Sequence, residues 1–285
     1  MDEKNFGVTL PKKFEDIKYA PDDVYTEKEF NQLRMGYESH PIFTSASLLI
    51  EVYFNGLKKN IKARFKKIIV IKVMKVLSHR GYWKTLNEKN TEVAFRRSFE
   101  LGFGTETDFR DFCGKLVIAH DVATAEAMPA HQFFEIYKQY SSKLPLAINI
   151  KSDGLQKLMR KALETYNITN YFLFDMSVPD ALVYVRQGGF NVYTRQSEYE
   201  KEPSFYSEAK GVWMDMFFSD WIEEDDILRH LENDKEVCIV SPDLHKREPK
   251  VFWERLKKMS VIDSEKVSIC TDFPEEAKQF FYGRD

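Results

Sequence analysis

The 285-residue sequence lacks any hydrophobic run long enough to span a bilayer, and its opening MDEKNFGVTLPKKFEDIKYAPDD lacks the apolar core of a signal peptide. Cysteines are scarce: Cys113, Cys238 and Cys270 lie far apart and form no CxxC pair. This pattern is typical of buried thiols in a reducing compartment rather than of a disulfide framework. We therefore expect a cytoplasmic protein without a membrane span.

The sequence also lacks an excess of basic residues, because 42 Lys and Arg face 45 Asp and Glu. Proteins that bind nucleic acid usually carry such an excess to neutralise phosphates. We therefore expect no nucleic-acid partner, and any anion site must be local. With 43% hydrophobic residues, the chain is able to bury a full core.

From Val73 onward, short β-rich runs alternate with amphipathic helical segments. Eight strand steps can be counted: VMKVLS, FGTETDF with KLVIAH, LPLAINI, NYFLFD, FNVYT, GVWMDMF, EVCIVS and KVSICT. Repeated β-then-α segments predict a parallel sheet, and eight of them predict closure into a (β/α)8 TIM barrel over residues 73–285. The segment RQSEYEKEPSFYSEAK has no clean helical stripe, which predicts a long polar loop in place of one barrel helix.

Residues 1–72 do not share this rhythm and are predicted to be an N-terminal extension, partly helical and basic near its end. There, LKKNIKARFKK follows the apolar stretch SASLLIEVYF. Three interpretations remain open for this segment: a solvated basic helix packed on the barrel, an interfacial helix drawn to anionic lipid, or a largely unstructured extension if the natural start is Met74. Residues 46–70 are therefore a candidate for peripheral membrane contact.

Two carboxylates stand at the end of the second strand step. Because strand side chains alternate between faces, Glu106 and Asp108 point one way while Thr105 and Thr107 point the other. Two carboxylates on one face suit a hard divalent cation such as Mg²⁺ or Ca²⁺. Surface strands also carry alternating acids, so the neighbouring residues decide between the two interpretations.

Histidines flank this acidic pair at strand ends. His79 and Arg80 follow VMKVLS, and His120 closes KLVIA in the same manner. A histidine can act as a general acid or base near neutral pH, and an arginine can hold a phosphate through its planar fork. A single buried histidine is more often satisfied by backbone hydrogen bonds, but two of them beside two carboxylates favour a catalytic site.

The third and fourth strand steps end in further polar residues. Asn149 and Lys151 share one face of LPLAINIK, and Lys151 is either a partner for a phosphate or the carboxylates, or a lysine that reaches solvent. Asp175 closes YFLFD, and because Ser177 can cap the next helix, Asp175 is free to face the site as a metal ligand.

Two residues nearer the C-terminus are weaker candidates. Asp215 lies in the sixth strand step and is a less favoured ligand than Asp175. His245 follows the seventh strand at the rim where a site would lie, and we expect it to be a solvent-exposed loop residue.

Taken together, these motifs resemble the glycerophosphodiester phosphodiesterase family. The matching elements are HRG at 79–81, NT at 90–91, the helix AFRRSFELG, ETDFR at 106–110, HD at 120–121 and IK at 150–151. The resemblance is strong from Val73 to Asp121 and thin beyond. It implies a TIM barrel and a metal-dependent phosphoric diester hydrolase that acts on a small-molecule phosphodiester.

Carried over by motif, the resemblance implies roles for individual residues. His79 and His120 serve as general acid and base, Arg80 contacts the phosphate, and Glu106 and Asp108 bind the metal, Mg²⁺ or Ca²⁺. The attacking group in this family is a neighbouring hydroxyl or a water, and both remain open here.

The chain departs from the family pattern at two positions. Glu88 and Lys89 stand where the family has proline and glutamate, and Asn149 stands where it supplies a third carboxylate ligand. An amide oxygen can coordinate Mg²⁺ or Ca²⁺ but brings no charge, so metal affinity should fall unless Asp175 compensates. The alternative function is a catalytically weakened or inactive barrel that binds a phosphorylated ligand or a protein partner.

Overall fold

The computed structural model describes residues 74–140 and 143–283 as alternating strands and helices. The strands are β1 (Lys75–His79), β2 (Gly104–Phe112), β3 (Lys115–Ile118), β4 (Met128–Pro129), β5 (Leu146–Ile150), β6 (Tyr171–Phe174), β7 (Tyr193–Gln196), β8 (Gly211–Met214), β9 (Glu236–Val240) and β10 (Val267–Thr271). The helices are α1 (Glu92–Glu100), α2 (Ala130–Lys138), α3 (Gln156–Thr165), α4 (Val178–Gln187), α5 (Glu224–Glu232), α6 (Lys250–Leu256) and α7 (Pro274–Tyr282). The predictions for residues 1–72, including membrane contact through 46–70, lie outside the described residues.

Parallel pairing closes eight of these strands into a barrel. In one direction β1 pairs with β2, β2 with β5 and β5 with β6. In the other direction β1 pairs with β10, which is followed by β9, β8 and β7. A parallel bridge between Leu173 and Val192 joins β6 to the start of β7 and completes the circle. The predicted (β/α)8 barrel is thereby confirmed.

The two remaining strands lie outside the barrel circle. β3 runs antiparallel to β2, with Phe109 opposite Ile118, and β4 pairs antiparallel with β3. The sequence suggested that His120 ends a parallel strand. Instead, His120 reaches the rim because β3 returns antiparallel along β2. Its neighbour Ala119 donates its backbone N–H to the carbonyl of Asp108 at 3.0 Å.

The loop between β7 and β8 agrees with the sequence, since the described residues 197–210 form no helix. Within the described ranges, no helix is both long and apolar enough to cross a membrane.

Aromatic side chains fill the inside of the barrel. Phe172 stacks on Tyr193 with ring centroids 3.9 Å apart, and Phe174 stacks on Trp213 at 4.0 Å. Two further apolar layers lie between the strands and the surrounding helices. Burying such rings removes a large apolar area from water and is a main source of stability. The polar ends of the strands lie above this packed interior, at the C-terminal mouth of the barrel.

The thiols follow the expectation in part. Cys238 and Cys270 are buried on neighbouring strands of the barrel interior, as predicted, whereas Cys113 is exposed in the turn between β2 and β3. All three are free.

The turn after β1 depends on Gly81, which connects the strand to helix α1. Its φ is 78°, and a Cβ added there would lie 2.8 Å from the Cβ of Ala94. The turn is held by Tyr82, which donates its N–H to the carbonyl of Ala94 at 2.9 Å, and by the Gly81 N–H, which donates to Thr105 Oγ1 at 3.0 Å. Only glycine combines this backbone conformation with this close approach.

We expect Gly81→Ala to lower the free energy of unfolding by about 2 to 4 kcal/mol, because it adds both left-handed strain and a steric overlap. Gly114→Ala is the matched control, since Gly114 has φ 74° and open space around the added Cβ. It should cost only about 1 kcal/mol. Urea unfolding measures both, and equal losses would contradict the packing argument.

Candidate active site

The parallel register places the predicted site residues in two rows at the barrel mouth. His79 on β1 is the register partner of Glu106 on β2. One row higher, Asp108 on β2 is the partner of Asn149 on β5, which in turn is the partner of Phe174 on β6. Partners in parallel strands share a face, so these side chains all point into the barrel.

The two carboxylates of β2 are almost completely withdrawn from water. Glu106 is 2% exposed and Asp108 is 0% exposed. Burial, and next the negative charge of Asp108, raise the pKa of Glu106 to about 8, although Arg80 and Lys151 oppose the shift. Without a bound cation, Glu106 is therefore mostly protonated at neutral pH.

Two cations and one amide contact Asp108. Arg80 Nε lies 3.0 Å from Asp108 Oδ2, and Lys151 Nζ lies 3.5 Å from Oδ1. Asn90 donates from Nδ2 to Oδ2 at 2.8 Å. The side chains of Arg80 and Lys151 are 21% and 19% exposed, so both cations are accessible from the mouth. They provide a positive edge beside the buried carboxylates.

Two buried oxygens in this group lack a hydrogen-bond partner among the described residues. They are Asp108 Oδ1, which has only the ion pair to Lys151, and Asn149 Oδ1. Buried acceptors are normally paired, and oxygen donors of this kind are the ligands that Mg²⁺ and Ca²⁺ use. Within 74–140 and 143–283, no three His, Cys, Asp or Glu side chains are grouped to hold a metal. A cation beside Glu106 and Asp108 would thus have no third ligand of these types, and the Asn149 amide oxygen, in register with Asp108, is an available further donor.

Asp175 contacts cations on both of its carboxylate oxygens. Oδ1 lies 2.7 Å from Arg195 Nη1, and Oδ2 lies 3.4 Å from Lys151 Nζ. Ser177 accepts from the Asp180 N–H and caps α4, as expected. A role for Asp175 as a metal ligand stays a prediction, and its observed contacts extend the ion pairs of Asp108 along the rim.

His79 is held by a carboxylate that the sequence analysis did not identify. Its Nδ1 lies 2.7 Å from Asp272 Oδ1, and its Nε2 lies 3.9 Å from Glu106 Oε2. Burial lowers the pKa of His79, while the hydrogen bond and charge of Asp272 oppose this shift. Because Asp272 accepts at Nδ1, the neutral ring favours the tautomer with its proton on Nδ1, and Nε2, which faces the site, is left unprotonated. The sequence did carry one signal that Asp272 could belong to the site, because it closes an apolar strand as Asp175 does.

The surroundings of Asp272 include one of the departures from the family pattern. Lys89 Nζ lies 4.0 Å from Asp272 Oδ2 and 4.4 Å from the ring centroid of Trp83. Trp83 donates from Nε1 to Asp272 Oδ1 at 3.3 Å. The backbone N–H of Asp272 donates to Asp243 Oδ2 at 2.6 Å. Asp272 is therefore fixed from several sides.

His120 lies on the rim and is more exposed than His79. Its side chain is 43% exposed, and its Nδ1 lies 2.8 Å from Oδ1 of Asp121. The hydrogen bond and charge of His120 lower the pKa of Asp121, and Arg80 contributes a smaller effect in the same direction. The structure thus brings His120 to the edge of the site, with a carboxylate of its own.

His245 is not a free loop residue, contrary to the sequence-based expectation. Its Nε2 lies 2.6 Å from Asp215 Oδ1, and the two side chains are 24% and 9% exposed. Its ring centroid is 4.8 Å from that of Phe217. β8 and β9 are neighbours, so the residues that follow them meet at the mouth, and Asp215 is occupied by this partner.

Comparisons with known proteins identify the fold. A candidate glycerophosphodiester phosphodiesterase from Galdieria sulphuraria matches with a TM-score of 0.60 and 17% identity, covering 74% of this chain and 99% of that one. The glycerophosphodiester phosphodiesterase from Agrobacterium tumefaciens has a TM-score of 0.54 at 14% identity, with coverage of 73% and 97%. That from Thermotoga maritima has a TM-score of 0.51 at 18% identity, with coverage of 74% and 98%.

No protein-family model matches the sequence, and no curated protein matches it in a sequence search. At these identities the structural similarity concerns the fold. The chain has the TIM-barrel fold of glycerophosphodiester phosphodiesterases, in agreement with the sequence resemblance.

The raised pKa of Glu106 leads to a pH-dependent stability. A carboxyl whose pKa is about 8 in the folded protein, against 4.5 ordinarily, favours folding below pH 4.5 and loses this advantage as pH rises to 8. We expect Glu106→Gln, with a chelator present, to remove this loss and to raise the free energy of unfolding at pH 8 by about 2 to 4 kcal/mol.

Urea unfolding at pH 5 and pH 8 measures this effect. Glu135→Gln is the control, since Glu135 is exposed on α2 and should leave the pH dependence unchanged. If Glu106→Gln keeps the wild-type difference between the two pH values, the buried carboxyl is not its source.

Proposed function

We propose that this protein is a metal-dependent phosphoric diester hydrolase that acts on a small-molecule phosphodiester, like the glycerophosphodiester phosphodiesterases whose fold it shares. The observation that supports this most directly is the buried pair of Glu106 and Asp108 at the barrel mouth, with Arg80 and Lys151 beside it. In TIM barrels, active sites lie at this end.

The phosphate of the substrate would bind to Arg80 and Lys151. Both side chains reach the mouth with part of their surface exposed, and both are held by Asp108. A guanidinium and an ammonium together offset the charge that develops on the phosphoryl oxygens as the bond to the leaving alcohol breaks. Asp108 fixes the positions of these donors before the substrate arrives.

Glu106, Asp108 and Asn149 would hold the divalent metal, Mg²⁺ or Ca²⁺, with Asp175 as the other predicted ligand. The unpartnered Oδ1 atoms of Asp108 and Asn149 support this set. A cation held there would supply positive charge to the phosphoryl group. Its presence would also stabilise the ionised form of Glu106, whose burial otherwise favours the protonated carboxyl.

His79 and His120 would move the protons. The Nδ1 of His79 is held by Asp272, so its Nε2 can take or give a proton, and His120 has Asp121 as its partner. As the attacking hydroxyl or water forms its bond to phosphorus, one histidine accepts its proton. The other donates a proton to the alkoxide as the bond between phosphorus and that oxygen breaks.

We expect His79→Ala and His120→Ala each to lower turnover of bis(p-nitrophenyl) phosphate by about 10²- to 10⁴-fold, because each removes one proton-transfer group. Release of p-nitrophenol measures the rate. His131→Ala is the control, since His131 is exposed on α2 and is not among the candidate site residues. Unchanged turnover in both site variants would sink the assignment of acid and base.

The second candidate function is a barrel that binds a phosphorylated ligand or a protein partner without turnover. Two departures from the family pattern favour it. The neutral Asn149 stands in place of a third carboxylate, and Lys89, which lies near Asp272, stands in place of an acid. The two functions differ in whether the site binds a divalent cation and whether diesters are cleaved.

We expect Asn149→Asp to bind Mg²⁺ or Ca²⁺ about tenfold more tightly than the wild type, because a third charged oxygen joins the ligand set. Asn149→Ala should bind more weakly. Calorimetry measures both, with Asn233→Asp, at an exposed position after α5, as a control for added charge. No binding heat in wild type or Asn149→Asp, together with inert diesters, would favour the second candidate.

A further inference from the structure

Exposed apolar side chains are concentrated at one end of the barrel. Ten large hydrophobic side chains of the described residues are exposed. Eight of them lie just after the C-terminal end of a strand or in the first turn of the helix that follows. They are Leu86, Val93, Val122, Val178, Tyr199, Phe218, Val251 and Phe273, here called the apolar rim. This is the end of the barrel that holds the candidate active site.

The most exposed members all belong to the rim. The exposed fractions are 71% for Leu86, 84% for Val122, 74% for Tyr199, 60% for Phe218 and 68% for Val251. Single exposed apolar residues are ordinary on a protein surface. It is not ordinary that the most exposed ones all lie around one opening.

The opposite end of the barrel behaves differently. Within the described residues, Leu101 after α1 is the large apolar residue exposed there, at 38%. The other large apolar residues of these loops fold inward and pack against the core, among them Tyr140, Leu144, Tyr166 and Phe190. The apolar rim is therefore not a general property of the loops of this barrel.

The aromatic part of the rim is held in place rather than loosely exposed. Tyr199 lies 5.6 Å from both Phe217 and Phe218, measured between ring centroids. The Glu198 carboxylate accepts the backbone N–H groups of Phe217, Phe218 and Ser219 at 3.0, 3.1 and 2.9 Å. This network joins the loops after β7 and β8 and leaves the rings of Tyr199 and Phe218 pointing outward.

We propose that the apolar rim docks the barrel mouth onto a lipid–water interface. Its members come from separate loops around the opening, so the surface that covers them all must be broad rather than a single strand or helix in a groove. A protein in that position would close the mouth. A lipid surface, in contrast, can supply the substrate. This part of the inference rests on the proposed function, and the substrate it names is a diester whose alcohol carries an acyl chain.

The charges near the rim indicate which lipid surface it fits. The exposed charged side chains include Lys84 at 52%, Glu275 at 50% and Asp121 at 95%, so basic groups do not prevail among them. Apolar insertion rather than attraction to anionic lipid would then drive binding. The rim should bind zwitterionic phosphatidylcholine vesicles and should be little affected by salt.

Sedimentation of the full chain with phosphatidylcholine vesicles tests this inference. Compared with wild type, the double variant Tyr199→Ser, Phe218→Ser should partition on the order of tenfold more weakly, because two rings no longer enter the interface. Leu101→Ser is the matched control at the opposite end and should bind like wild type. Both substitutions are at exposed positions, and thermal unfolding checks that each variant is folded.

Several results would overturn the proposal. One is equal binding by wild type and the double variant. Another is binding that requires anionic lipid and disappears in about 0.5 M salt, as expected for electrostatic adsorption by the basic segment of residues 46–70. A third is a change from oligomer to monomer in the double variant without any effect on vesicle binding, which would identify a second copy of the chain as the occupant.

Vesicle binding is measured without turnover, so it stands or falls separately from the proposed function. If the protein cleaves diesters, the double variant should hydrolyse soluble bis(p-nitrophenyl) phosphate at the wild-type rate. Its turnover of a vesicle-borne diester should fall about tenfold, in line with its binding. Equal loss with both substrates would contradict a docking role for the rim.

Discussion

Burial of two carboxylates, two residues apart on one strand, is the constraint on which the rest of the mouth depends. Glu106 and Asp108 have little contact with water, and each charge disfavours the other. Such a pair is costly unless cations and hydrogen-bond donors surround it. Arg80 and Lys151 supply that compensation, and it remains incomplete, as the raised pKa of Glu106 shows. The positive charge around the pair is therefore too small to keep Glu106 ionised at neutral pH.

The backbone around the mouth is also under strain. Arg80, Asn90 and Asp175 have φ values of 58°, 59° and 71°, in the left-handed region that side chains rarely adopt. Each of the three contributes to the ion pairs and hydrogen bonds around the carboxylates. Stability is thus reduced locally in order to place charged groups, while the stacked aromatic interior and the helix layers hold the barrel together.

The parts of the fold that were predictable rest on local periodicity. Alternation along β2 was enough to place Glu106 and Asp108 on one face, and the repeated β-then-α rhythm was enough for the barrel. The partner of His79 was not predictable in this way. Asp272 lies 193 residues from His79 and meets it only because β10 closes against β1. The antiparallel return of β3 was a local feature that was missed, although Cys113 and Gly114 form a short turn before it.

The packed interior has a consequence for what surrounds a ligand in the barrel mouth. Stacked rings of Phe172 and Tyr193, and of Phe174 and Trp213, come from β6, β7 and β8, and Phe174 is in register with Asn149. The polar side chains of the site come from β1, β2 and β5, so a ligand in the mouth has polar groups on that side and aromatic rings on the other.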